Sequence, residues 1–74
     1  MNLTHVSNVN RYEIRFHIGN RMEQSAHSFN SEKQASAHLR NIQITDRDFC
    51  ADYAGGLVEI YDNLNDCSVD CKDI

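Results

Sequence analysis

The sequence predicts a small α+β domain: an antiparallel sheet with one helix packed on one face, in the order ββαβ or ββαββ. Residues 11–18 and 57–62 have the composition of strands, and residues 31–42 have the period of an amphipathic helix. A chain of 74 residues forms a single domain. We therefore assign residues 1–74 to one domain and expect segments 1–10 and 67–74 to be its least ordered parts.

The first strand is predicted from a strict alternation of apolar and polar residues over residues 11–18. Such a strand turns one face toward a core and the other toward solvent. The core face would carry Tyr12, Ile14, Phe16 and Ile18, and the opposite face Arg11, Glu13, Arg15 and His17.

A Gly-Asn pair at residues 19–20 predicts a hairpin turn. A two-residue loop would pair Ile18 with Arg21 and turn polar residues of the second strand toward the core, whereas a three-residue loop would pair Ile18 with Met22. We predict the three-residue loop, because a shift of one residue exchanges the two faces of a strand. The second strand, residues 22–29, is weakly apolar, so it is predicted to lie at a sheet edge or to end in a bulge. Such an edge is also a candidate surface for a homodimer.

The helix is predicted from its start signal and its period. Ser31 is a favourable N-cap, and Gln34 completes the spacing of a capping box. One stripe of the helix then carries Ala35, His38, Leu39 and Ile42.

The segment after the helix, residues 45–54, has two interpretations. Thr45 followed by Asp48 is typical of a helix N-terminus, and Gly55 provides a stop for a short second helix. Alternatively, the alternation at residues 49–53 is typical of a strand that ends at a Gly-Gly turn. We favour the helix and leave the alternative open.

The last part of the chain contains a second strong strand signal at residues 57–62, and the alternation at residues 67–71 is typical of a short final strand. The core is predicted to come from Tyr12, Ile14, Phe16, Ile18, Phe29, Leu39, Ile42, Leu57, Val58 and Ile60.

Charge divides unevenly along the chain, whose formal net charge is −4. Residues 1–42 have a net charge of +2, and residues 43–74 have a net charge of −6. Carboxylates grouped on a small body can occupy a basic groove of another protein. We therefore predict a partner-binding surface that comprises Asp46, Asp48, Asp52, Glu59, Asp62, Asp66, Asp70 and Asp73.

The alternative interpretation is a small nucleic-acid-binding module. The polar face of the first strand and the hairpin tip would form a basic ridge for phosphates from Arg11, Arg15, His17 and Arg21.

Composition also indicates a location. No apolar run approaches the roughly 20 residues that cross a bilayer, and residues 1–20 lack the apolar core of a signal peptide. Three cysteines are an odd set that favours reduced thiols. We predict a cytoplasmic protein without membrane contact.

Catalytic and metal-ligating patterns are weak. The four histidines are single and scattered, and Cys67-x3-Cys71 matches a zinc-ligand spacing only loosely. Nothing in the spacing brings Cys50 to a base such as His38. We predict no catalytic residues, no cofactor and no metal site, and we expect a protein that is not an enzyme.

The layout as a whole resembles a known class of small proteins. A hairpin precedes the helix FNSEKQASAHL and the strand GGLVEIYD, in an acidic chain. This arrangement resembles that of small inhibitors encoded by bacteriophages and mobile elements, of which anti-CRISPR proteins are the best-known group. The resemblance implies a non-enzymatic protein that blocks a host protein or nucleoprotein complex, by placing its acidic surface where nucleic acid would bind.

Overall fold

A computed structural model describes residues 10–74 of the chain. The elements are β1 (Tyr12–Ile18), β2 (Arg21–Phe29), α1 (Glu32–Arg40), α2 (Ile42–Thr45), α3 (Arg47–Asp52), β3 (Leu57–Asp62) and β4 (Cys67–Asp73). The predicted α+β class and antiparallel sheet are confirmed. The predicted single helix was wrong, because three short helices follow β2 in this part of the chain.

The ends of the chain differ from one another. The expectation for residues 1–10 falls almost entirely outside the described residues. The last segment, in contrast, is a seven-residue strand, β4, paired along β3.

The four strands form one sheet in the order β2-β1-β3-β4. β1 and β3 occupy the centre and pair so that Ile14 lies opposite Ile60 and Phe16 opposite Val58. These four side chains are fully buried on the face that carries the helices. The predicted position of the second strand at an edge of the sheet is confirmed.

The register of the β1–β2 hairpin differs from the prediction. Ile18 pairs with Arg21 across a two-residue turn, in which Gly19 adopts a φ of +56°. A glycine in this conformation at the first turn position is typical of tight hairpins. The three-residue loop was wrong because β2 is an edge strand, where polar residues can lie on the helix side and still contact water. Arg21 does so, with its guanidinium 4.6 Å from the centre of the Tyr53 ring.

Both edge strands are irregular. The β1–β2 register shifts between Glu13 and Arg15, and the β3–β4 register shifts between Ile60 and Tyr61. Such bulges interrupt the row of backbone groups that an edge offers to another strand. The homodimer through β2 remains a prediction.

The helix layer starts as predicted and then breaks twice. Ser31 caps α1 by accepting a hydrogen bond from the Gln34 amide. The chain leaves helical geometry at Asn41 and again at Asp46, whose ψ is +52°. Asp46, and not Thr45, is therefore the residue before α3, although the helical interpretation of this segment is confirmed. Within residues 10–74, no helix has the length and apolarity that spanning a membrane requires.

The core lies between the helices and the sheet. It contains Tyr12, Ile14, Phe16, Ala35, Leu39, Ile42, Cys50, Tyr53, Val58 and Ile60. Phe49 packs at its margin, with its ring centre 4.9 Å from that of Phe16. The prediction for Leu57 was wrong, because this residue pairs with His17 and points to the opposite face of the sheet. Ile18 and Phe29 are only partly buried.

Candidate functional site

The eight acidic residues predicted to form one surface are dispersed by the fold. Asp46 and Asp62 are buried. Glu59 lies 2.6 Å from His17 on the open face of the sheet. Asp66 accepts a hydrogen bond from the Tyr61 hydroxyl. The exposed remainder consists of Asp48 and Asp52 on α3 and Asp70 and Asp73 on β4.

Asp62 holds the turn between β3 and β4. Its two oxygens accept hydrogen bonds from Arg11 Nε and one terminal nitrogen of the same guanidinium, at 2.9 and 3.0 Å. One oxygen also accepts the backbone amides of Leu64 and Asn65. The Arg11 hydrogen bond and these amides lower the pKa of Asp62 from 3.8 to about 2. This carboxylate is therefore a structural group and is not available to a partner.

The basic ridge of the alternative hypothesis is likewise engaged within the protein. Arg11 binds Asp62, and Arg15 lies 3.0 Å from Glu13 and 3.7 Å above the centre of the Tyr61 ring. His17 binds Glu59. Arg21 Nε donates to the Tyr53 hydroxyl at 3.2 Å. A phosphate would have to compete with these contacts for each cation.

The outer side of α2 and α3 combines apolar groups with charged groups of both signs, because the exposed Arg47 lies beside Asp48. Ile44 is 79% exposed, the most exposed of the large hydrophobic residues in the described part of the chain. It borders a shallow depression of about 530 Å³ that residues 44–49 line. Asp48 belongs to this depression and Asp52 lies one turn further along α3. Within residues 10–74, neither carboxylate forms an ion pair.

A group of three potential metal-ligating side chains lies between β2 and the helices. We call it the His–Asp cluster: His27 from β2, His38 from α1 and Asp46 from the α2–α3 junction. His38 Nε2 lies 2.9 Å from Asp46 Oδ2, and His27 Nε2 lies 3.2 Å from Asp46 Oδ1. The centres of the two imidazole rings are 4.7 Å apart. One carboxylate thus faces two imidazoles from different elements.

Hydroxyl groups support the His–Asp cluster from both sides. Ser25 Oγ donates to Asp46 Oδ2 at 3.0 Å and accepts the backbone amide of His27. Thr45 Oγ1 lies 3.4 Å from His38 Nε2. Ser25 and His27 lie two residues apart in the irregular part of β2, so both side chains face the same side of the strand and contact Asp46.

Sequence reasoning missed this grouping because its members are far apart along the chain. The predicted register also turned Ser25 and His27 away from the helices. The two-residue hairpin would have placed them on the side of His38, which already lay on the apolar stripe of α1. A two-residue hairpin, taken together with the position of His38 on the apolar stripe of α1, would therefore have predicted that these side chains meet.

Cys50 does not have the surroundings of a nucleophile. It is buried, and its thiol donates to the Ile42 carbonyl oxygen over 3.6 Å. Burial raises the pKa of the Cys50 thiol, and the nearby negative charge of Asp46 raises it further. Cys67 and Cys71 are exposed on β4.

No protein-family model, curated protein or solved structure matches this chain significantly. Function therefore has to be inferred from the sequence and from the geometry of the molecule itself.

Replacement of Asp62 by Asn should weaken the pH dependence of stability in acid. The folded-state pKa lies below the ordinary value, so the wild-type carboxylate stabilises the fold above about pH 4 and loses this effect as the pH falls toward 2. Urea unfolding midpoints, measured from neutral pH down to pH 2, should fall less steeply in Asp62→Asn than in wild type. The control Asp48→Asn should keep the wild-type slope, and equal slopes in all three proteins would contradict the assigned role.

Thiol labelling should separate the cysteines into two classes. Cys67 and Cys71 should react with a thiol reagent in the native protein, because both are exposed. Cys50 should react at a comparable rate only after unfolding, since the thiolate is the reactive form and burial disfavours it. Mass spectrometry of labelled peptides measures this order, and rapid native labelling of Cys50 would refute it.

Proposed function

We propose that the protein acts by binding a basic surface of a partner protein through the outer side of α2 and α3. The observation that carries this proposal is the exposure of Ile44 beside a depression that also contains the exposed carboxylate of Asp48. Protein interfaces combine an apolar centre with a charged rim, and complementary charge accelerates the encounter.

The acidic residues do not contribute equally to this proposal. Asp48 lines the depression together with the exposed apolar side chain, and Asp52 follows it by one turn of α3, so both can meet cations of a partner. Asp70 and Asp73 lie on β4, beside Lys72 of the same strand, and are not part of the proposed binding surface. Asp46, Glu59, Asp62 and Asp66 are assigned to internal hydrogen bonds and are left out of the binding surface.

The class of partner follows from the resemblance in layout to phage-encoded inhibitors. We infer a host protein or nucleoprotein complex whose basic site normally contacts nucleic acid. A carboxylate-bearing surface with an apolar anchor would occupy that site and exclude the nucleic acid. No catalytic step is required for this action.

The proposal predicts a specific pattern of loss in an affinity-capture experiment. The wild-type chain, immobilised and exposed to a bacterial lysate, should retain a basic protein that is released as salt is raised, since exposed charge pairs are screened. Ile44→Ser and Asp48→Asn should each weaken the purified complex by roughly tenfold, as expected for a central contact residue. The matched control Asp73→Asn should bind like wild type.

Two results would contradict this assignment. One is retention of the same partner with unchanged affinity by Ile44→Ser and Asp48→Asn. The other is a direct gel shift of DNA or RNA by the wild-type chain at low salt that Arg21→Gln abolishes, which would favour the nucleic-acid-binding alternative.

A further inference from the structure

Three metal-ligating side chains meet in the His–Asp cluster. Ligand atoms of His27, His38 and Asp46 all lie within 4.8 Å of one another. Imidazole nitrogen and carboxylate oxygen are ligands that zinc and neighbouring divalent transition metals accept. We propose that His27 Nε2, His38 Nε2 and the Asp46 carboxylate together bind a divalent transition-metal ion of the zinc type.

The distances suit a small ion. Ligand atoms lie about 2.0–2.2 Å from zinc, which places the ligands of a tetrahedral site roughly 3.4 Å from one another. His38 Nε2 and His27 Nε2 lie 2.9 and 3.2 Å from oxygens of Asp46. These two contacts end on different oxygens of Asp46. With one ligand atom taken from each residue, the three atoms lie within 4.8 Å of one another, so a movement of at most roughly 1.4 Å brings them to the spacing of zinc ligands. The ion would lie where the two imidazole nitrogens now contact the carboxylate.

Burial favours a defined site with access from one side. The side chains of His38 and Asp46 are 8% and 7% exposed, whereas that of His27 is 47% exposed. An ion can thus reach the two buried ligands past the half-exposed imidazole. Three protein ligands leave the fourth position of a tetrahedral ion for water or another small ligand.

Neighbouring groups already orient the ligands. Ser25 Oγ donates to Asp46 Oδ2, and the centre of the Phe29 ring lies 5.3 Å from that of the His38 ring. Hydrogen-bonded ligands with fixed rings bind metals more tightly than mobile ones. Asp46 also lines the depression beside Ile44, but the binding proposal rests on Ile44 and Asp48, whereas the metal proposal rests on His27, His38 and Asp46. Different variants therefore test the two proposals.

His17 provides a control for the histidines of the His–Asp cluster. This imidazole lies 2.6 Å from Glu59, which is again a contact between a histidine and a carboxylate. Among residues 10–74, however, the only grouping of three close ligand side chains is the His–Asp cluster. His17→Gln is therefore the control for loss of a histidine without loss of the site.

The test is calorimetric titration of the reduced full-length chain with zinc chloride. Wild type and His17→Gln should each bind one ion per chain, and His27→Gln should bind at least about tenfold more weakly. A chain with both Cys67→Ser and Cys71→Ser should bind like wild type, which separates the cluster from the exposed thiols. Zinc should also raise the unfolding temperature of wild type, and this increase should be lost in His27→Gln.

Nuclear magnetic resonance of wild type provides a readout that does not depend on the folding of any variant. Zinc should shift the ring signals of His27 and His38 and leave those of His17 unchanged. Absence of zinc binding, equal affinity in His27→Gln, or binding that disappears in the double serine variant would overturn the proposal.

Discussion

The buried carboxylate of Asp46 is the constraint on which the arrangement of the β2 edge of the sheet depends. Removing a charged group from water costs several kcal/mol unless charged or hydrogen-bonding partners surround it. Here the partners are His38, His27 and Ser25, all within 3.2 Å. Two of them come from β2 and one from α1, so a single side chain joins the edge strand to the helix layer. Loss of any partner would leave part of this charge unsatisfied.

This constraint also accounts for features that apolar packing alone does not explain. Asp46 interrupts the helical segment between α2 and α3, and its side chain makes no capping hydrogen bond. Its oxygens are instead committed to β2 and α1. The irregular part of β2 is attached to the same carboxylate, because the Ser25 hydroxyl accepts the His27 amide while it donates to Asp46. The irregular backbone at Asp46 and in β2 therefore positions the groups that stabilise the buried carboxylate.

The sequence predicts the parts of the fold in which hydrophobicity and local signals agree. The alternation in β1, the Ser31 cap and the strand at residues 57–62 each combine a period with a boundary signal, and the structure contains all three. Prediction fails where the deciding contact is remote. The hairpin register depends on contacts of Arg21 with Tyr53 and of Ser25 with Asp46, residues that lie more than twenty positions away along the chain. Leu57 was misplaced for a related reason, since a run of two apolar residues does not tell which of them faces the core.

The candidate sites, like the fold, are predicted from the sequence only where local signals decide them. A charge count along the chain finds the excess of acidic residues but cannot distinguish Asp62, fixed by Arg11, from Asp48, which is exposed. Sequence spacing does not predict the His–Asp cluster, because its three residues come from β2, α1 and the α2–α3 junction. The three residues come together only because the register of β2 turns His27 toward the helices, and the proposed metal site therefore depends on this register.

That register is open to a direct measurement on the isotopically labelled full-length chain. Nuclear Overhauser contacts should join the backbones of Phe16 and Glu23 across the hairpin, and the ring protons of His27 should contact those of His38. Contacts from Phe16 to Gln24, together with absence of the contact between the two rings, would show a three-residue loop. That result would contradict both the two-residue register and the His–Asp cluster that depends on it.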